Sequence, residues 1–162
     1  FSKSNKQIQH SLFSTNKFKV IIDRFPGVNF FTQILVVPSI NITDIKRPTN
    51  TMHDYPLPGD KVNYDALNLT FLLDEDLTGY IELKEWLESF QRFSGNLNNA
   101  LSDICVIPLT NNSNYNKLQF KFRNSFPINI SGFPLDVTDT QEQPLSIDCL
   151  FEFSTFEIIK TP

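Results

Sequence analysis

Glycine, cysteine and histidine are all scarce in this chain, and each scarcity removes a class of chemistry. Five Gly among 162 residues leave little material for a phosphate cradle, and no Gly-x-Gly-x-x-Gly, Walker loop or Gly-x-Ser-x-Gly occurs. The two Cys, Cys105 and Cys149, stand in separate apolar segments and not in a Cys-x-x-Cys pair with zinc spacing. Both are expected to be buried free thiols. His10 and His53 have no Cys or His at ligand spacing, so neither a zinc centre nor a histidine-activated nucleophile finds support. No catalytic, cofactor-binding or metal-binding residue is assigned, no cofactor is expected, and the chain is expected not to be an enzyme.

Long apolar runs are missing as well. Nothing approaches the roughly 20 residues that cross a bilayer as a helix, and the polar start, Phe1 to His10, has no apolar stretch of the signal-peptide kind. The expectation is a protein made in the cytosol, with no membrane partner. A formal charge of −4 argues against a surface that grips nucleic acid, which needs Lys and Arg to displace the counterions of the phosphates.

What the chain does hold is apolar and aromatic: 40% hydrophobic residues, with 16 Phe against one Met and one Trp. That composition supports one domain with its own core, and it suits strands joined by polar turns better than a helical bundle. Residues 1–16, rich in Ser, Asn, Lys and Gln, read as a flexible arm, and residues 17–162 as a single β domain.

Period-2 alternation marks the strands. Phe18, Val20 and Ile22 alternate with Lys17, Lys19, Ile21 and Asp23; Phe30 to Val37 follows; Pro38 interrupts; Ile40 to Thr43 alternates again, with Ile45 out of phase as a bulge would require. Residues 47–61, holding Pro48, Pro56, Pro58 and Gly59 together with Met52, Tyr55 and Leu57, read as a long loop, a length usually reserved for function or partner contact. Ala66 to Leu73 is a strand with Leu67, Leu69 and Phe71 on one face and Asn68 and Thr70 on the other. Further strands are expected at 104–109, 117–124, 128–131 and 145–156. In the last, Ile147, Cys149, Phe151 and Phe153 alternate with a face carrying Asp148 and Glu152.

One helix, about 77–93, interrupts this pattern: Tyr80, Leu83, Leu87 and Phe90 recur at helical spacing, widened by Ile81, Trp86 and Phe93. Asp76 or Thr78 is expected to cap it, and Gly95 with the Asn-rich run to end it. Asp74-Glu75-Asp76 lacks the spaced ligands and turn Gly of a calcium loop, so helix capping explains it better. Lys117, Lys121 and Arg123 share a strand face, which reads as a solvated or salt-bridging face and not as a nucleic-acid platform.

The order of these elements resembles the tail tube proteins of contractile-tailed, T4-like bacteriophages. The resemblance runs from about Ser14 to Ile158. It rests on Asn16-Lys-Phe-Lys-Val20, Asn29-Phe30-Phe31-x-Gln33, the Pro38 break, the Pro-rich stretch ending Pro58-Gly59-Asp60, Tyr64-Asp65, the strand into Asp74-Glu75-Asp76, the helix with Trp86, and Ile130-Ser-Gly-Phe-Pro134 before the last strand. Baseplate tube initiators and the ring-forming tube protein of type VI secretion share that fold.

The resemblance implies an antiparallel β-sandwich or half-barrel flanked by one helix, and a structural virion protein in the tail, assembled in the host cytoplasm. It implies stacked homohexameric rings whose strands join into one barrel, partnered by tail sheath and baseplate proteins, with DNA passing and no specific binding or small-molecule substrate. It also implies subunit contacts through Arg47, Met52, Tyr55, Leu57 and Asp60, and a channel wall bearing Asn68 and Thr70 or Asp148 and Glu152. The arm Phe1 to Phe13 and the loop Asn111 to Asn116 depart from the family's pattern and fit a tube initiator as an alternative. A monomeric sandwich that stacks carbohydrate on Tyr55, Tyr64 and Tyr115 is the competing binding-module reading. An enzyme would have to be built on distant carboxylates such as Asp60 and Asp136.

Overall fold

Strict alternation makes one of the inner strands of the sheet: between Leu67 and Leu72, Leu67, Leu69 and Phe71 are buried and the residues between them half-buried. The computed structural model describes residues 17–26, 32–50, 52–91, 95, 99–109 and 118–160. Their elements, in chain order, are β1 (Phe18–Ile22), β2 (Thr32–Val36), β3 (Ile40–Arg47), β4 (Tyr55–Tyr64), β5 (Leu67–Leu72), α1 (Thr78–Ser89), β6 (Ser102–Pro108), β7 (Leu118–Ile130), β8 (Ser146–Glu152) and β9 (Thr155–Lys160). Among the described residues the fold is mainly antiparallel β with one flanking helix, as expected. The sequence-stretches 1–16 and 111–116, with Phe30, Phe31, Phe93, Tyr115 and Lys117, lie outside the described residues.

Strands β1, β6, β7, β8, β5 and β2 lie side by side in that order, β9 pairs with β7, and among the described residues β3 pairs with β4 alone. Two long hairpins account for most of this. In the first, Val36 stands opposite Asn68 and Ile40 opposite Tyr64, so one register runs unbroken through the Pro38 interruption. Asp65 N–H donates to Ser39 O at 3.1 Å across that gap, and the Ser39 hydroxyl donates to the Asp65 carboxylate. The half made of β2 and β5 belongs to the main sheet. The half made of β3 and β4 leaves it as a free ribbon.

In the second hairpin, Arg123 faces Thr155 and Phe126 faces Glu152, so β9 continues β8 in the same register across Phe153 and Ser154, and the register shifts farther along, between Pro127 and Asn129. Ser154 N–H donates to Arg123 O at 2.9 Å across the break. The expected last strand is therefore right in place but extends to Lys160. The expected pair of strands at 117–124 and 128–131 is instead the single strand β7. Its Asn124 sits at φ 54°, where β6 and β7 shift register between Ser102 and Ile104. Asn tolerates the left-handed region, so the strand kinks at a bulge and does not end.

The helix packs Leu83 and Trp86 into the core with Phe151, Phe71 and Ile22, and Trp86 and Phe151 lie 5.9 Å apart. Three expectations about it are corrected. Neither Asp76 nor Thr78 caps it: Leu77 is the cap residue at φ 52°, without a side-chain cap bond, and Asp74 accepts from Thr78 N–H at 2.9 Å. Ile81 faces solvent at 47% exposure, because it lies off the stripe set by Leu83 and Trp86. The helix stops at Ser89, before Gly95, where the Ser89 hydroxyl donates to Trp86 O at 2.6 Å and competes with the next helical bond.

Candidate assembly interface

Residues 47–61, read from sequence as a loop, are largely strand. Pro56 and Pro58 lie within β4, opposite Lys46 and Asp44. A ribbon of only two strands has one unpaired edge on each, so a residue without an N–H is tolerated there. Between Ile42 and Asp44 the register shifts, which is the irregularity expected near Ile45, and Gly59 to Lys61 bulge opposite Thr43. At the tip, the Thr49 hydroxyl donates to His53 O at 2.8 Å.

The ribbon gathers the sequence-assigned contact residues. Arg47 stands opposite Tyr55 and Leu57 opposite Ile45, while Asp60 lies in the bulge. Met52, next to the tip, is 99% exposed. Ile40, Ile42, Ile45, Tyr55 and Val62 are also each more than half exposed. So much apolar surface on a two-stranded ribbon is uncommon for a domain that stays alone in water. Sequence reasoning did not assign Ile40, Ile42 or Val62 to a contact: the first two were read only as part of an alternating strand.

The two candidate channel faces prove to be one. Asn68 pairs with Leu150 and Thr70 with Asp148, and the Thr70 hydroxyl donates to Asp148 at 2.6 Å. Glu152 belongs to the same alternation of β8, opposite Phe126 of β7. Within the sheet this face spans β7, β8, β5 and β2, and two stretches of it have an open edge: among the described residues, 126–130 pair with β8 alone and β2 pairs with β5 alone, while the earlier part of β7 pairs with β6 and β9.

The basic strand face is locked within the subunit. Arg123 reaches Glu157 at 3.1 Å and Lys121 reaches Asp103 at 3.8 Å, while Phe122 is buried beneath them. Tyr64 is half-buried, 5.5 Å from Phe153 and 6.3 Å from Phe156, so it is not free to stack on a ligand. Cys105 is half-buried, against expectation, because it falls on the outer face of β6 opposite Ile21 and Lys121. Cys149 is buried, and desolvation pushes its thiol up to about 12. A cleft of about 280 Å³ lies beside α1. Its Arg24 is committed to Ala100 O at 2.6 Å and stacks 5.7 Å above Trp86. Among the described residues no group of three His, Cys, Asp or Glu could hold a metal ion, and no helix is long and apolar enough to cross a membrane.

No protein-family model matches this chain, and no curated protein matches it in sequence. Solved structures match in three dimensions. A chain of the PVC sheath-tube complex, from an extracellular contractile injection system in its extended state, superposes with a TM-score of 0.66 at 16% identity, covering 99% of this chain and 100% of that one. The anti-feeding prophage tube-terminating cap gives 0.68 at 14%, with 99% and 100% covered. A chain of the sixfold-symmetrised anti-feeding prophage baseplate gives 0.63 at 11%, with 93% and 97% covered. The chain has the tail-tube-like fold. At these identities the fold is what is shared, and the tail-tube-like fold is met here in injection systems as well as in the phage tails that the sequence resembles.

Proposed function

We propose that this chain is a structural subunit of a contractile injection machine, forming rings that stack into a tube. The observation that carries the reading is the open-edged sheet of β7, β8, β5 and β2. Its strands alternate in direction, so β2 of one copy set beside residues 126–130 of the next continues the antiparallel order, and both open stretches are five residues long. An exposed strand edge is a template for another strand, and ring closure removes it. The matched structures of sheath-tube, cap and baseplate assemblies support the same reading.

In the finer form, six copies close a ring as in a T4-like phage tail, and the face bearing Asn68, Thr70, Asp148 and Glu152 lines the channel. That face carries carboxylates and no Lys or Arg on β5 or β8, so it would repel nucleic acid and let it slide. Sheath and baseplate proteins would meet the outside, and the ribbon with Arg47, Met52, Tyr55, Leu57 and Asp60 would meet other copies. A second reading places the chain at a tube end, as initiator or terminator, favoured by the cap and baseplate matches.

Negative-stain electron microscopy of the purified chain across a concentration series tests the proposal. Hollow tubes or sixfold rings are the expected result, with tubes favouring the repeating subunit and isolated rings an end subunit. Monomers at every concentration, with or without a preformed tube end, would overturn it.

A further inference from the structure

We infer that the tip of the β3–β4 ribbon of one copy docks on the 131–145 segment of a second copy in the next ring, an inference that rests on the tube reading above. The first ground is placement. Both β5 and β7 run antiparallel to β8 and therefore parallel to each other. The ribbon enters at the start of β5, and the 131–145 segment leaves at the end of β7, so the two project from opposite ends of the sheet along the strand direction. Copies translated along that direction bring tip and segment together. A contact between two different patches is heterologous, and repeated by translation it builds an open stack.

The second ground is chemistry. The segment exposes Leu135 at 83% and Val137 at 102%, and carries Asp136, Asp139 and Glu142 with no Lys or Arg. Asp136 is held in place by Thr138, whose N–H and hydroxyl donate to it at 2.9 and 2.6 Å. The tip, residues 45–57, carries Lys46 and Arg47 against the single carboxylate of Asp54, and exposes Ile45, Met52 and Leu57. Neither set forms an ion pair with another described residue of its own subunit. Apolar surface on both sides with opposite net charge is what a self-complementary stacking contact requires, and the charges set its polarity.

Two variants, Leu57→Cys and Val137→Cys, are made separately in the full chain, mixed under assembly conditions and oxidised, with each alone as the control for Cys105 and Cys149. A crosslinked dimer in the mixture only is expected. In parallel, Lys46→Glu with Arg47→Glu raises the concentration needed for tubes at least tenfold, and adding Asp136→Lys with Asp139→Lys restores it. Tubes that form without the crosslink and without charge-swap rescue would overturn this contact and leave the tube reading standing. A wild-type chain that assembles under no condition would overturn both.

Discussion

Gly59 lies against the backbone of Thr43: a Cβ at Gly59 would meet the Thr43 carbonyl oxygen at 1.9 Å. No side-chain rotation relieves that clash, because both partners are backbone. Gly59→Ala is therefore expected to pry β4 from β3 at the bulge, a cost of about 1–3 kcal/mol by analogy with overpacking. Hydrogen exchange checks it: ribbon amides should exchange faster while those of β5 and β8 stay protected, and unchanged ribbon protection would show that this close approach is not kept in solution.

Ala100 O accepts from both Trp86 Nε1–H, at 2.8 Å, and the Arg24 guanidinium, at 2.6 Å. Trp86→Phe or Arg24→Met alone leaves the carbonyl one donor, so the hydrogen-bond part of each loss is about 1–3 kcal/mol. The double variant orphans the carbonyl and should lose more than the two singles together. Urea unfolding of the four proteins measures the coupling; simple additivity would show that the two donors do not share this acceptor.

The hydrogen bonds from Thr138 hold the Asp136 carboxyl below its ordinary value of 3.8. A carboxyl lowered by folding stabilises the folded state above the ordinary value, and that contribution disappears as pH falls through the lowered one. Thr138→Val removes the hydroxyl and should return Asp136 toward 3.8, measured by carboxyl-carbon NMR titration. An unmoved titration would show that the turn is not formed in solution.

Burial raises Cys149 from 9.0 to about 12. The folded state then keeps the proton that the unfolded chain has lost, so stability is full below pH 9 and falls as pH rises toward 12. Each unit of such a difference is worth about 1.4 kcal/mol. Cys149→Ala should flatten the pH dependence of unfolding over that window, although it costs core packing at neutral pH; equal slopes in both proteins would place the thiol in contact with water.

Much of the strand content was legible because period-2 alternation is a local property. Leu67, Leu69 and Phe71, or Ile147, Cys149 and Phe151, declare an inward face without reference to any other strand. The helix was legible from Leu83, Trp86 and Leu87 for the same reason. Its cap was not, because Asp74 reaches over a left-handed Leu77, a backbone choice that the neighbouring acids Glu75 and Asp76 do not foretell. The ribbon was hidden behind Pro56 and Pro58, whose missing N–H groups argue against a strand unless that strand is known to have an open edge.

The residues by themselves determined the class of the fold, the faces of its strands, the helix that carries Leu83 and Trp86 and the poverty of catalytic groups, all of which follow from short-range periodicity and composition. Only the tertiary structure decided that Asn68, Thr70, Asp148 and Glu152 share one face, that Asn124 bends one strand in place of ending it, and that Ile40, Ile42 and Val62 face solvent. Each of these depends on register between segments far apart in the chain. Register is set by pairing between distant segments, which a local pattern announces only in part, as the out-of-phase Ile45 did for the bulge beside it.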